Sequence, residues 1–149
     1  MSIVMPYGIR LGADGKIETM PVAEVRICRI HSTASFLGIL LIDSGATTTL
    51  LPATDAKALG IVLESGVKIM LSGVTGHRLI GYRHDIALDI QGYLLDRVPV
   101  IFAKKQNAPR VLGREGVFPR FAVVFDEVRR RTALLDAHKE RSRIDALFT

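Results

Sequence analysis

A chain of 149 residues has the length of one domain, and with 48% apolar side chains it can bury a single core. Charged residues at 23% and a net charge of +5 exclude a disordered, charge-dominated chain. The one long apolar run, residues 36–42, is far too short to cross a membrane as a helix, and the start of the chain lacks a secretion-type segment. Cys28 is the only cysteine, so no internal disulfide forms, and a cytoplasmic, reducing compartment is expected.

Residues 1–20 carry Gly8, Gly12 and Gly15 and read as an N-terminal extension or an edge hairpin turning at Asp14-Gly15. Residues 22–30 alternate, with Ala23, Val25 and Ile27 on one side and Glu24 and Arg26 on the other, which predicts a strand. Residues 36–42 predict a strand buried on both faces. Residues 52–59 suit a short helix with Gly60 just past its end. Strands follow at 67–71 and 78–90, joined by a glycine-bounded tip over 72–76, and Gln91-Gly92 turns the chain into another at 93–102. After a polar loop over 104–109, residues 111–112 form a short apolar segment ending at Gly113. Residues 121–125 and 132–135 pair across an Asp126-Glu127 turn, and 137–148 suit a C-terminal helix with Ile144, Leu147 and Phe148 on one side. Phe118, Phe121 and Phe125 are expected in the core. Many short strands, glycine turns and little helix predict an all-β barrel or sandwich, with no function implied by that alone.

The residues that carry chemistry begin at Asp43, an acid at the end of a wholly apolar strand and followed at once by Ser44 and Gly45. Burial raises the cost of ionising a carboxylate, so a lone acid there does nothing for stability. It is useful where apolar walls tune a carboxyl toward a working proton affinity. Taken by itself, Asp-Ser-Gly is also a common turn tripeptide.

Residues 41–47 (Leu-Ile-Asp-Ser-Gly-Ala-Thr) resemble the active-site signature of retropepsin-like aspartic peptidases. Two more elements occur in that family's order. Gly73, Val74, Thr75 and Gly76 resemble the tip of the flap that closes over substrate. Val111, Leu112, Gly113 and Arg114 resemble the second signature, which packs beside the active-site loop. Residues 115–121 resemble the short helix and last strands of bacterial relatives, and the likeness spans about residues 21–135. The resemblance implies a closed β-barrel of the acid-protease fold, one lobe per chain; residues 136–149 run past the family's last strand as a basic C-terminal tail. It implies an aspartic endopeptidase whose catalytic group is Asp43, with Ser44, Gly45 and Ala46 shaping the loop. No metal and no cofactor are implied, because the nucleophile is water. The chain carries one such signature, so a second copy of itself is the expected partner and an extended polypeptide the expected substrate. Ser44 stands where Thr is commoner. Thr47 replaces the acid that pairs with the second-signature arginine in retroviral members, so Arg114 is expected to find its partner in Glu115 or a carbonyl.

Other readings are kept beside this one. The same fold suits a non-catalytic dimerisation or peptide-binding module. The late basic residues, Arg129, Arg130, Arg131, Lys139, Arg141 and Arg143, suit nucleic acid, yet no nucleic-acid motif accompanies them and a solvated face is expected. His31, His77, His84 and His138 match no metal spacing. Cys28 reads as a structural thiol, and Ser44 lacks the second glycine of a nucleophile elbow. Cleavage of the chain by itself within residues 1–20 is a further expectation.

Overall fold

Period-two alternation of apolar and polar side chains puts most of this chain into strands. The computed structural model describes residues 2–73 and 75–149. In chain order it contains β1 (Ser2–Pro6), β2 (Gly8–Leu11), β3 (Ile17–Met20), β4 (Val22–Cys28), β5 (Ser35–Ile42), β6 (Thr49–Pro52), helix α1 (Ala53–Ala58), β7 (Val67–Ser72), β8 (Arg78–Ile90), β9 (Tyr93–Ala103), β10 (Val111–Leu112), β11 (Phe121–Asp126), β12 (Arg131–Asp136) and helix α2 (Arg141–Asp145).

Strands β4, β5, β10, β6, β9 and β8 lie side by side in that order, and β8 pairs again with β4 through Ile27↔Leu88, so the sheet closes into a barrel. Strand β7 continues past the barrel as the outer partner of β8. Strands β1, β12 and β11 form a separate antiparallel sheet, and β2 and β3 form a hairpin of their own. The core fills the barrel: Val25, Ile27, Leu40, Leu51, Ile86, Leu88, Ile90, Val98, Phe102 and Leu112 are all fully buried. Closure leaves the barrel's own strands without a free edge on that ring, which stabilises a short-stranded sheet against mispairing.

Most expected elements lie where the patterning predicts, including the hairpin turn at Asp14-Gly15, where Gly15 takes φ +78°. Four expectations need correction. Strand β5 is buried on one face only: Leu40 and Ile42 point inward, whereas Leu37 and Ile39 are 56% and 61% exposed, because the described residues put no second layer over that face. Residues 2–6 are not a free extension, since β1 pairs along β12 from Ser2↔Leu135 to Pro6↔Arg131. Phe121 is buried and meets Tyr93 edge-on, but Phe125, at the other end of the same face of β11, is 40% exposed. The C-terminal helix is short; Ile144 is buried while Leu147 and Phe148, in the following 3-10 turn, face solvent.

Candidate active site

Asp43 directly follows β5, where the chain leaves the barrel wall, and it is half-buried. Its backbone N–H donates to the Leu112 carbonyl (3.1 Å), and the Leu41 N–H donates to the Arg110 carbonyl (3.0 Å). These bonds arise because β10 runs parallel to β5 and antiparallel to β6, wedged between the two strands that flank the loop. A segment about seventy residues downstream therefore sets the position of Asp43. The loop folds back on its own acid: the Gly45 N–H donates to Asp43 Oδ1 (2.8 Å) and the Ala46 N–H to the Asp43 carbonyl (3.2 Å). One carboxylate oxygen is thereby oriented by backbone.

The second apolar segment completes the loop. The Gly113 N–H donates to Oγ1 of the fully buried Thr49 (3.0 Å), the Arg114 N–H to the Ala46 carbonyl (2.9 Å), and the Glu115 N–H to the Thr47 carbonyl (2.8 Å). Gly113 has no alternative here: a Cβ would stand 2.4 Å from the Thr48 carbonyl carbon and 2.8 Å from the Thr49 nitrogen.

Asp43, Ala46, Thr47, Thr48, Leu50 and Val111 line a cleft of about 440 Å³, whose far side is Leu71 and Ser72 of β7 and Ile101 of β9. The hairpin of β7 and β8 thus overhangs the acid. At its tip Gly73, Thr75 and Gly76 are exposed, with Gly76 at φ +76° donating its N–H to the Gly73 carbonyl (3.0 Å); Val74 lies outside the described residues. Ser44 and Gly45 are exposed at the outer turn of the loop and do not line the cleft, nor do Leu112, Gly113 and Arg114, which act on it through the backbone. Of the histidines, His77 is exposed beside the tip and His84 bonds the Leu63 carbonyl (2.8 Å). Among the described residues no three His, Cys, Asp or Glu side chains gather as a metal site, and no helix is long and apolar enough to cross a membrane. A second cleft of about 420 Å³ lies over the three-stranded sheet; its Asp126 and Arg131 pair with each other and none of the signature residues reach it.

The electrostatics correct one expectation. Glu115 does not pair with Arg114. It takes the Arg83 guanidinium on both oxygens (2.6 and 3.3 Å) and accepts the Thr48 hydroxyl (3.1 Å), and Arg83 holds the Glu115 carboxyl below the usual range. Arg114 is exposed, and among the described residues nothing holds its guanidinium. The reason is reach: Arg83 comes from β8, opposite Ile101, directly across from Glu115. A second ion pair stands just before β10, where the buried Asp55 of α1 is gripped by Arg110 through Nε and Nη2, each at 2.8 Å. Neither pair is readable from spacing, since the partners are 32 and 55 residues apart. The run of three hydroxyls, Thr47 to Thr49, was the available hint that the loop carries side-chain bonds of its own.

Residues 38–115 match the family model described as Aspartyl protease. The fold is similar to the crystal structure of a retropepsin-like aspartic protease from Rickettsia conorii, at TM-score 0.61 and 16% identity over 90% of this chain and 98% of that one. It is also similar to the EIAV protease complexed with an inhibitor, at TM-score 0.49 and 21% identity over 65% of this chain and 84% of that one. No curated protein matches the chain. The all-β, retropepsin-like architecture expected from the sequence is the one observed.

Proposed function

Because the chain belongs to the aspartyl protease family, we propose that it is an aspartic endopeptidase in which two copies each supply one Asp43 to a shared catalytic dyad. The observation that carries this reading is the Asp43 carboxylate at the floor of a cleft, with one oxygen already oriented by the Gly45 N–H. The chain contains a single Asp-Ser-Gly, so the second carboxylate comes from a second copy on a two-fold axis.

Two carboxylates a few ångströms apart cannot both ionise cheaply, so the dyad holds one proton between them and titrates as a pair. The ionised member takes a proton from water as the water oxygen bonds to the scissile carbonyl carbon. The protonated member gives its proton to the carbonyl oxygen. Collapse of the tetrahedral species breaks the C–N bond, and the amine leaves with a proton from the dyad. Gly73, Thr75 and Gly76 belong to a flap that excludes water and holds an extended polypeptide by its backbone. Val111, Leu112, Gly113 and Arg114 keep the loop in register through their backbone bonds. Water is the nucleophile, so the reading calls for no cofactor. A reducing, cytoplasmic compartment suits the lone Cys28, whose thiol is pushed up by burial and so resists ionisation.

The test compares the wild type with Asp43→Asn on a mixed peptide library across roughly pH 4–7.5, a span that covers carboxylate titration, with cleavage read by mass spectrometry. Cleavage by the wild type alone is the expected result. Equal cleavage by both removes Asp43 from the mechanism.

A further inference from the structure

The hairpin of β2 and β3 joins no third strand among the described residues. Its register pairs Ile9 with Thr19, Arg10 with Glu18 and Leu11 with Ile17. Opposed residues of an antiparallel pair share a face, so Ile9, Leu11, Ile17 and Thr19 lie on one side and Arg10 and Glu18 on the other. The polar side satisfies itself, with Arg10 Nε 2.7 Å from Glu18 Oε2. The other side is bare: Ile9, Leu11 and Ile17 are 73%, 74% and 73% exposed. A two-stranded ribbon is marginal in water unless its apolar face is packed on something, and adjoining exposed apolar side chains mark contact surfaces.

The anchorage of the hairpin says what it packs on. Pro21, the residue after β3, accepts the Ile42 N–H at 2.9 Å, and Asp43 is the next residue. The other leg starts at Gly8, whose backbone abuts Val22, the first residue of β4. The foot of the hairpin therefore stands beside the catalytic loop. In the dimer that brings two Asp43 carboxylates together, that loop approaches the two-fold axis, and the foot of each hairpin stands next to its own loop. Four residues per strand, at about 3.4 Å each, give the ribbon a length of about 14 Å from its foot, enough to span from the loop to a neighbouring copy.

We propose that the apolar face formed by Ile9, Leu11 and Ile17 docks against a second copy of this chain, making the β2–β3 hairpin an arm that clasps the dimer beside its active site. This rests on the dimeric peptidase reading. The Arg10–Glu18 side faces solvent in the same assembly and keeps the ribbon's register.

Sedimentation velocity over a concentration series tests it, using the wild type, an Ile9→Ser/Leu11→Ser/Ile17→Ser variant and an Arg10→Ala/Glu18→Ala control on the opposite face, each with its cleavage rate. The apolar-face variant is expected to raise the dimer dissociation constant at least tenfold, to lose cleavage at low protein concentration and to regain it at high concentration; the control follows the wild type. Should circular dichroism find the triple variant unfolded, the single Leu11→Ser change, at an exposed position, carries the same comparison with a smaller shift. Wild-type self-association by the apolar-face variants overturns the arm. So does an unchanged dimer that has lost peptide binding, because the surface then takes substrate, and so does a wild type that stays monomeric throughout. The catalytic reading fails separately: if the dimer depends on the hairpin while the wild type and Asp43→Asn cleave alike, the arm stands and the dyad falls.

Discussion

The Arg83 guanidinium grips Glu115 with both ends of its fork, Nη2 to Oε1 at 2.6 Å and Nη1 to Oε2 at 3.3 Å. Arg83 closes the last β7–β8 pair, opposite Val67, and Glu115 also receives the Thr48 hydroxyl at the rim of the cleft. One carboxylate thus ties the base of the overhanging hairpin to the loop that carries Asp43.

That tie has a pH signature. Arg83 lowers the Glu115 carboxyl from its ordinary value of 4.5, so the folded form holds this proton less tightly than the unfolded form. Its contribution is complete above that ordinary value and is lost as pH falls through the lower, folded one. Both side chains are more than a third exposed, so the pair is worth about 1 kcal/mol or less. Thermal melts of the wild type are expected to lose stability as pH falls below the ordinary glutamate range, with Glu115→Gln giving a shallower slope over the same interval. Superimposable slopes would dismiss the pair as a stabiliser.

Removing either member of the Asp55–Arg110 pair is expected to give unequal costs. The Asp55 side chain is 4% exposed and that of Arg110 39% exposed. Arg110→Ala strands a buried carboxylate and is expected to cost about 3–5 kcal/mol, whereas after Asp55→Ala the guanidinium can turn to water and the loss is smaller. Urea denaturation of the two variants checks the order. Arg110→Ala is also expected to lower cleavage, since the Arg110 carbonyl receives the Leu41 N–H next to the loop that carries Asp43.

Two glycines of the signature elements are expected to respond differently to alanine. At Gly113 the added methyl meets backbone atoms of Thr48 and Thr49 at 2.4–2.8 Å, so Gly113→Ala is expected to cost about 1–3 kcal/mol and to abolish most activity by displacing the loop. At Gly76 nothing stands within 4 Å, and only the positive φ is strained, which costs about 1–2 kcal/mol at the tip alone. Gly76→Ala is expected to raise KM more than it lowers the melting temperature. Steady-state kinetics and melts on the same preparations separate the two cases.

Asp43→Asn keeps an oxygen for the Gly45 N–H, so stability is expected within about 0.5 kcal/mol of the wild type. Cleavage is expected to fall by roughly 10²–10⁴-fold, the usual worth of a positioned acid–base group. A large stability change would mean that the acid serves the fold instead.

The strands and turns were legible because alternation and glycine placement act locally, as in β4, where inward Ala23, Val25 and Ile27 are all fully buried. Asp43 was legible as an acid out of place at the end of an apolar strand. What the chain hid was contact at a distance. The outward exposure of Leu37 and Ile39 depends on what the rest of the described chain leaves uncovered over β5, which a run of apolar letters cannot reveal. The choice of Arg83 over Arg114 by Glu115 depends on which strand passes opposite, as does the pairing of Ser2–Pro6 with the last strand.

The wedge of β10 between β5 and β6 also governs when the site can exist during synthesis. Asp43 leaves the ribosome early, yet the carbonyl that anchors its backbone belongs to Leu112, and the strand that pairs with β1 ends only at Asp136. Contacts of such long sequence separation form late, after the intervening loop has been closed. A nascent or truncated chain that stops short of β10 carries the acid without the frame around it. The order of the strands therefore acts as a timer, leaving the Asp43 loop without its frame until β10 has emerged.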